Sequence, residues 1–151
     1  MTTVRVLIAD DYAAVRTALA RALRCDSRIE VVGEASDGYA AVLLAGKVKP
    51  DIVLMDISMP GLDGIEATRR ITRSHPNIHI VGLSVHDSGF YAQQMLDAGA
   101  RAYVLKDGDM EEVFEAIEAV SRGQTYVSPG VVPLGRRASR SRVSRSFSRI
   151  G

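Results

Sequence analysis

Residues 4–9, VRVLIA, form an apolar run broken only by Arg5, and the run ends on two adjacent aspartates, Asp10 and Asp11. Beyond them the period of the pattern changes. Val15, Leu19, Ala22 and Leu23 recur at the spacing of one helix face. This alternation of short β-rich runs and amphipathic stretches repeats along the chain. It predicts strands at 4–9, 29–35, 51–55, 78–83 and 102–105, and helices at 12–24, 38–48, 63–74, 88–97 and 109–121. Punctuation agrees with the pattern. Ser36 or Asp37 is placed to cap the second helix and Asp63 the third, Pro50 and Pro76 follow helix ends, and Gly99 and Gly123 lie just beyond two others. In the last helix Met110, Val113, Phe114, Ile117 and Val120 share one face.

Strands that are apolar throughout, rather than alternating, are those of a parallel sheet covered by helices on both sides. Five β/α units with right-handed crossovers make a doubly wound α/β sandwich, here with the strand order 2-1-3-4-5. Ligands of such sheets bind outside the carboxyl ends of the strands, so chemistry is expected just after each strand. No repeat is visible beyond the β/α alternation.

Length and composition fit one globular domain with a tail: 151 residues, 46% hydrophobic and 25% charged. No apolar run approaches the roughly 20 residues of a membrane span, so no membrane association is expected. The N-terminus lacks the small-residue cleavage site of a signal peptide. Cys25 is the sole cysteine, which excludes an intrachain disulfide and fits a reducing, cytoplasmic location. The net charge of +1 conceals an asymmetry, because residues 136–151 carry six arginines and no acid. Residues 1–135 therefore hold 13 basic and 18 acidic residues, a net of −5, which disfavours nucleic-acid binding by this body. The organisation read from these shifts is a domain at 1–121, a Pro/Gly-rich linker at 122–135 and a disordered Arg/Ser-rich tail at 136–151.

The strand ends concentrate the chemistry. Strand one ends at Asp10-Asp11, strand three at Asp56, strand four at Ser84 and strand five at Lys106. The expected strand order brings all of them to one edge. Three carboxylates at close quarters do not all stay ionised without a cation. A hard divalent ion with oxygen ligands, Mg²⁺, satisfies such a set and also lessens the repulsion of an incoming phosphoryl group. Asp56 then reads as a nucleophile forming an acyl phosphate, with Lys106 and Ser84 contacting phosphoryl oxygens.

The set resembles the receiver domain of two-component response regulators. The resemblance is carried by "IADD", "LMDISMPGLDG", the "LS" before the fourth helix, "AGARAYVLK" and "RGQTYVSP", and it covers roughly residues 3–121. Into the linker it is similar to the NarL/FixJ (LuxR-type) branch. The resemblance implies a flavodoxin-like fold and a phosphoryl group accepted on Asp56 from a sensor histidine kinase. It also implies Mg²⁺ bound directly by Asp11 and Asp56, with Asp10 acting through a metal-bound water and the Ser58 backbone carbonyl completing the protein ligands. Ser84 and Lys106 become the switch hydroxyl and the phosphate-binding lysine, and Tyr103 the aromatic switch residue. Ser stands at 84 where many members have Thr. Ser58 and His86 are expected to tune the lifetime of the acyl phosphate. A phosphorylation-dependent homodimer through the fourth helix, fifth strand and fifth helix, or through neighbouring helices, is a further expectation.

The module is expected to control an output, transcription in a longer parent protein, and not to be an enzyme with an external substrate. In the NarL/FixJ branch a helix-turn-helix domain follows the linker. Residues 136–151 lack its pattern, so specific DNA binding by this chain is not expected. That tail reads as the product of a truncated gene, a frameshift or an artificial junction, with a genuine charged tail as the alternative. Two other readings stand beside this one: a pseudo-receiver acting through protein contacts alone, and an aspartyl-phosphate phosphatase. The latter calls for a D-x-D motif after the first strand, which this sequence lacks. Simple readings exist for single residues as well: Asp10 as a helix cap, Lys106 as a solvated lysine, Met55 and Met59 as packing residues, Cys25 as a helix-end residue. His75, expected to be exposed, and His79 and His86 are not spaced as a metal site.

Overall fold

The computed structural model describes residues 3–132. Its sheet is built from β1 (Val4–Ala9), β2 (Ile29–Ala35), β3 (Ile52–Asp56), β4 (His79–Ser84), β5 (Ala102–Leu105) and β6 (Tyr126–Val127). Between them run α1 (Ala13–Arg24), α2 (Gly38–Val48), α3 (Gly64–Ser74), α4 (Gly89–Asp97) and α5 (Met110–Ser121). All strand pairs are parallel, in the order β2-β1-β3-β4-β5-β6. The expected 2-1-3-4-5 arrangement is present, and a short sixth strand extends it. That strand lies in the segment read as linker, 122–135, of which residues 133–135 fall outside the described residues. The expected tail, 136–151, does so entirely.

Alternation along each strand divides the core into two layers. Leu7, Ala9, Val53 and Met55 pack with Ala41 and Ala45 of α2, Ala67 and Ile71 of α3, and Ala92 and Met95 of α4. Val6, Ile8, Ile52 and Leu54 point the other way, onto Leu19 and Leu23 of α1 and Val113, Ile117 and Val120 of α5. Both faces of the central strands are thus dry, which is why they show no polar alternation.

The helix starts follow the caps in the sequence. Asp37 accepts from the Ala40 N–H, Asp63 from Glu66, Ser88 from Phe90 and Asp109 from Glu111. Between the two candidates for α2 it is Asp37, not Ser36, that caps. α2 stops at Lys49, which adopts a left-handed φ of 48° immediately before Pro50. Gly64 opens α3 against the end of β3. A Cβ built there lies 2.0 Å from the Asp56 carbonyl oxygen, so only glycine permits this approach. The carboxyl ends of β1, β3, β4 and β5 therefore meet at one edge, with the first turn of α3 held tightly against it.

Candidate functional site

Asp10 follows directly on β1, and its N–H donates to the Ala35 carbonyl at 3.0 Å. Its side chain does not cap α1. Oδ1 accepts from the Tyr12 N–H at 2.9 Å in a local turn, and Tyr12, the N-cap residue, makes no side-chain cap bond. Arg16, one turn into α1, donates to the Asp10 carbonyl at 2.7 Å and approaches Glu34 at 3.4 Å. It holds the β1–α1 junction to β2. Asp56 ends β3 and is 4% exposed, and the Ser58 N–H donates to its Oδ1 at 3.3 Å.

Lys106 spans the two acids. Its Nζ lies 2.6 Å from Asp10 Oδ2 and 3.1 Å from Asp56 Oδ1. The ion pair with Asp10 is the close contact of Oδ2, an oxygen that is fully buried. Asp11 is exposed at the mouth, and one carboxylate oxygen from each of Asp10, Asp11 and Asp56 lies within 4.8 Å of the others. The structure thus brings together the three acids and the lysine expected from the sequence.

Charge in the crevice is poorly balanced. Burial pushes the Asp56 carboxyl up from 3.8 to about 6; Lys106 opposes this and neighbouring Asp10 adds to it. For Lys106 burial works downward, but the Asp10 and Asp56 carboxylates outweigh it and the ammonium is held above its usual value. One lysine serves two buried acids, with a third beside them. Three carboxylates clustered at one point, with a single ammonium to balance them, are what a hard divalent cation with oxygen ligands requires, so the residues present fit Mg²⁺.

Ser84, at the end of β4, is buried, and its Oγ accepts from the His86 N–H at 2.9 Å. Next to it in the sheet, β5 carries Tyr103, fully buried, whose hydroxyl donates to the His86 carbonyl at 2.6 Å. Burial raises the Tyr103 phenol, an effect partly offset by a hydrogen bond with Ser84. Ser84, His86 and Tyr103 are therefore one hydrogen-bonded group. The His86 ring stacks on Tyr91, centroids 4.5 Å apart, and Phe90 meets Tyr91 edge-on. Ser58 is exposed beside Asp56, while Met55 and Met59 are core residues and Cys25 is an exposed helix-end residue. His75 is half-buried rather than exposed.

Arg16 and Tyr91 escaped the sequence reading. An arginine one helical turn after the acid pair was the available signal for the first. For Tyr91, the clue was its place in an aromatic pair with Phe90 beside His86.

A parallel sheet whose strand ends converge on three acids and one lysine forms a crevice fit for a divalent cation. Residues 6–118 match the family described as "Response regulator receiver domain", and the chain belongs to that family. Among curated proteins it is 41% identical over 128 residues to the response regulator GacA of Pseudomonas viridiflava, covering 85% of this chain and 60% of that protein. Of solved structures, it is similar to a LuxR-family two-component response regulator from Aurantimonas sp. SI85-9A1, with TM-score 0.83, 33% identity and coverage of 99% of this chain and 100% of that one. It is also similar to the isolated receiver domain of RcsB from Salmonella enterica serovar Typhimurium, solved with the phosphomimetic BeF3- (TM-score 0.79, 28% identity, 86% of this chain and 96% of that one). The chain thus spans about 60% of the length of the GacA protein it matches. Among the described residues, no helix is long and apolar enough to cross a membrane.

Proposed function

We propose that this receiver domain accepts a phosphoryl group on Asp56 from a sensor histidine kinase in the cytoplasm and passes the event on as a change of surface. The observation that carries the reading is the convergence of Asp10, Asp11 and Asp56 beneath Lys106. Asp56 is the nucleophile. Its oxygen forms a bond to phosphorus as the phosphorus–nitrogen bond of a phosphohistidine breaks, and the departing imidazole keeps the electron pair and takes up a proton. Asp11 and Asp56, with the Ser58 carbonyl and with Asp10 through a water, would hold Mg²⁺. The ion supplies neutralisation between the carboxylates and the phosphoryl oxygens.

Lys106, already poised over Asp56, pairs with one phosphoryl oxygen as a compact charge, and Ser84 donates to another. Doing so turns the Ser84 hydroxyl away from the His86 N–H and Tyr103, so the β4–α4 loop and α4 repack. This is a shift between two packings of the face formed by α4, β5 and α5, the face proposed for a phosphorylation-dependent homodimer. Ser58 and His86 flank the crevice and set the water access that limits the lifetime of the acyl phosphate. The output in a longer parent protein is control of transcription.

Incubation with a small acyl phosphate donor and Mg²⁺ tests the reading. A hydroxylamine-labile label is expected on wild type and is absent from Asp56→Asn, with no turnover of a phosphomonoester. Unlabelled wild type favours a pseudo-receiver, and phosphomonoester turnover favours a phosphatase.

A further inference from the structure

The segment after α5 does not leave the domain at once. Tyr126 and Val127 pair with Ala102 and Tyr103 of β5, and the Ser128 N–H donates to the Tyr103 carbonyl at 2.9 Å. There the ladder ends, because the chain turns through Gly130 at φ +92° and the Ser128 carbonyl accepts from the Val131 N–H at 3.1 Å instead. The next backbone donor of β5, the Leu105 N–H, is left facing β6 without a carbonyl. The side chain of Ser128 takes its place: Oγ accepts from the Leu105 N–H at 3.0 Å and donates to Glu112 Oε1 at 2.5 Å. Ser128 is fully buried.

Glu112 belongs to the first turn of α5 and closes the arrangement. It also accepts from the Tyr126 hydroxyl at 3.3 Å, a phenol that reaches Glu115 at 3.2 Å as well. Its other oxygen lies against Gly108, 3.1 Å from where a Cβ would sit, in the loop that joins Lys106 to α5. On the opposite side of β5 the Lys106 N–H donates to the Ser84 carbonyl at 2.7 Å. The end of β5 is thus gripped from both sides, by Ser84 on β4 and by Ser128, just after β6, with Glu112 on α5.

We propose that Ser128 and Glu112 are positioning residues for Lys106: they latch the end of β5 and couple the aspartate site to whether the chain beyond α5 stays in the sheet. The inference rests on the phosphoacceptor reading of that site. Neither residue touches the phosphoryl group. The latch fixes the backbone on which the Lys106 ammonium must reach between Asp10 and Asp56. Thermodynamic coupling is reciprocal, so an anion that draws Lys106 onto the site also tightens the latch.

Three measurements on Ser128→Ala, Ser128→Thr and wild type test this. Without the hydroxyl, the Leu105 amide loses its acceptor, and its hydrogen exchange is expected to quicken in the unliganded protein. Labelling by an acyl phosphate donor should slow about five-fold in Ser128→Ala, the loss of one hydrogen bond's worth of positioning. Mg²⁺ affinity should not change, since the three acids are untouched. Ser128→Thr keeps the hydroxyl and should restore both exchange and rate, and Glu112→Gln, which keeps an acceptor oxygen, should fall between. In wild type, beryllofluoride with Mg²⁺ should slow exchange at the Leu105 and Ser128 amides. Unaltered Leu105 exchange in Ser128→Ala, or labelling at the wild-type rate, overturns the latch alone. A wild-type chain that takes no label overturns the phosphoacceptor reading and the assignment to Lys106 with it.

Discussion

Replacing Asp56 by asparagine should make the metal-free protein more stable at neutral pH, although it removes the residue the site is built around. In the unfolded chain the Asp56 carboxyl titrates at its ordinary value of 3.8, and burial raises it to about 6 in the fold. Below the unfolded value both states hold the proton and the site costs nothing. As pH rises from there the unfolded state ionises first, and stability falls until the folded carboxyl ionises as well. Above that the full cost is present, about 3 kcal/mol at roughly 1.4 kcal/mol for each pH unit between the two values. Asparagine keeps the shape and the acceptor for the Ser58 N–H without the charge. Lys106 loses one anion but keeps Asp10. The net gain expected from Asp56→Asn is therefore about 2 kcal/mol at roughly pH 7.5, shrinking towards zero at about pH 4. Urea unfolding of both proteins in EDTA at the two pH values measures it. Saturating Mg²⁺ should shrink or reverse the difference, because the ion stabilises the wild-type carboxylate cluster more. A variant no more stable than wild type at neutral pH in EDTA, or a gain equally large in acid, would refute the electrostatic account of the crevice.

Other outcomes follow from the same geometry. Lys106→Met leaves Asp10 buried with only the Tyr12 N–H as partner. It should destabilise the metal-free protein by about 2–3 kcal/mol, somewhat less than a fully buried pair because Lys106 keeps 18% exposure. Urea titration with and without Mg²⁺ should show the ion recovering part of the loss. Ser84→Ala should still be labelled on Asp56, but beryllofluoride should no longer alter hydrogen exchange in α4 and β5; an unchanged response contradicts the role given to the hydroxyl. Gly64→Ala drives a methyl into the Asp56 carbonyl. It should cost about 2–3 kcal/mol and slow labelling by displacing β3, both readable on the same samples.

Much of this was legible because parallel β/α architecture writes itself plainly. Val6 to Ala9 and Ile52 to Met55 are buried on both faces, so their runs are continuous, and α5 announces itself through Val113, Ile117 and Val120. The strand-end rule then points to Asp10, Asp11, Asp56, Ser84 and Lys106 from the sequence alone. What stayed hidden depends on contacts between distant segments. Tyr126-Val127 is too short to read as a strand and sits between Gly123 and Pro129, so the stretch reads as linker. Only the unpaired edge of β5, and the acceptor that Glu112 offers to Ser128, explain why it is held in the sheet. The orientation of Tyr103 is likewise tertiary, fixed by the His86 carbonyl seventeen residues away.

Everything rests on the carboxylates of β1 and β3 forming a seat for a divalent cation. Calorimetric titration of Mg²⁺ into wild type and Asp11→Asn, the exposed member whose replacement least disturbs the fold, measures this most directly. A single binding event in wild type that is lost or greatly weakened in Asp11→Asn is the expected result. No heat of binding in wild type, or undiminished affinity in the variant, would contradict the account.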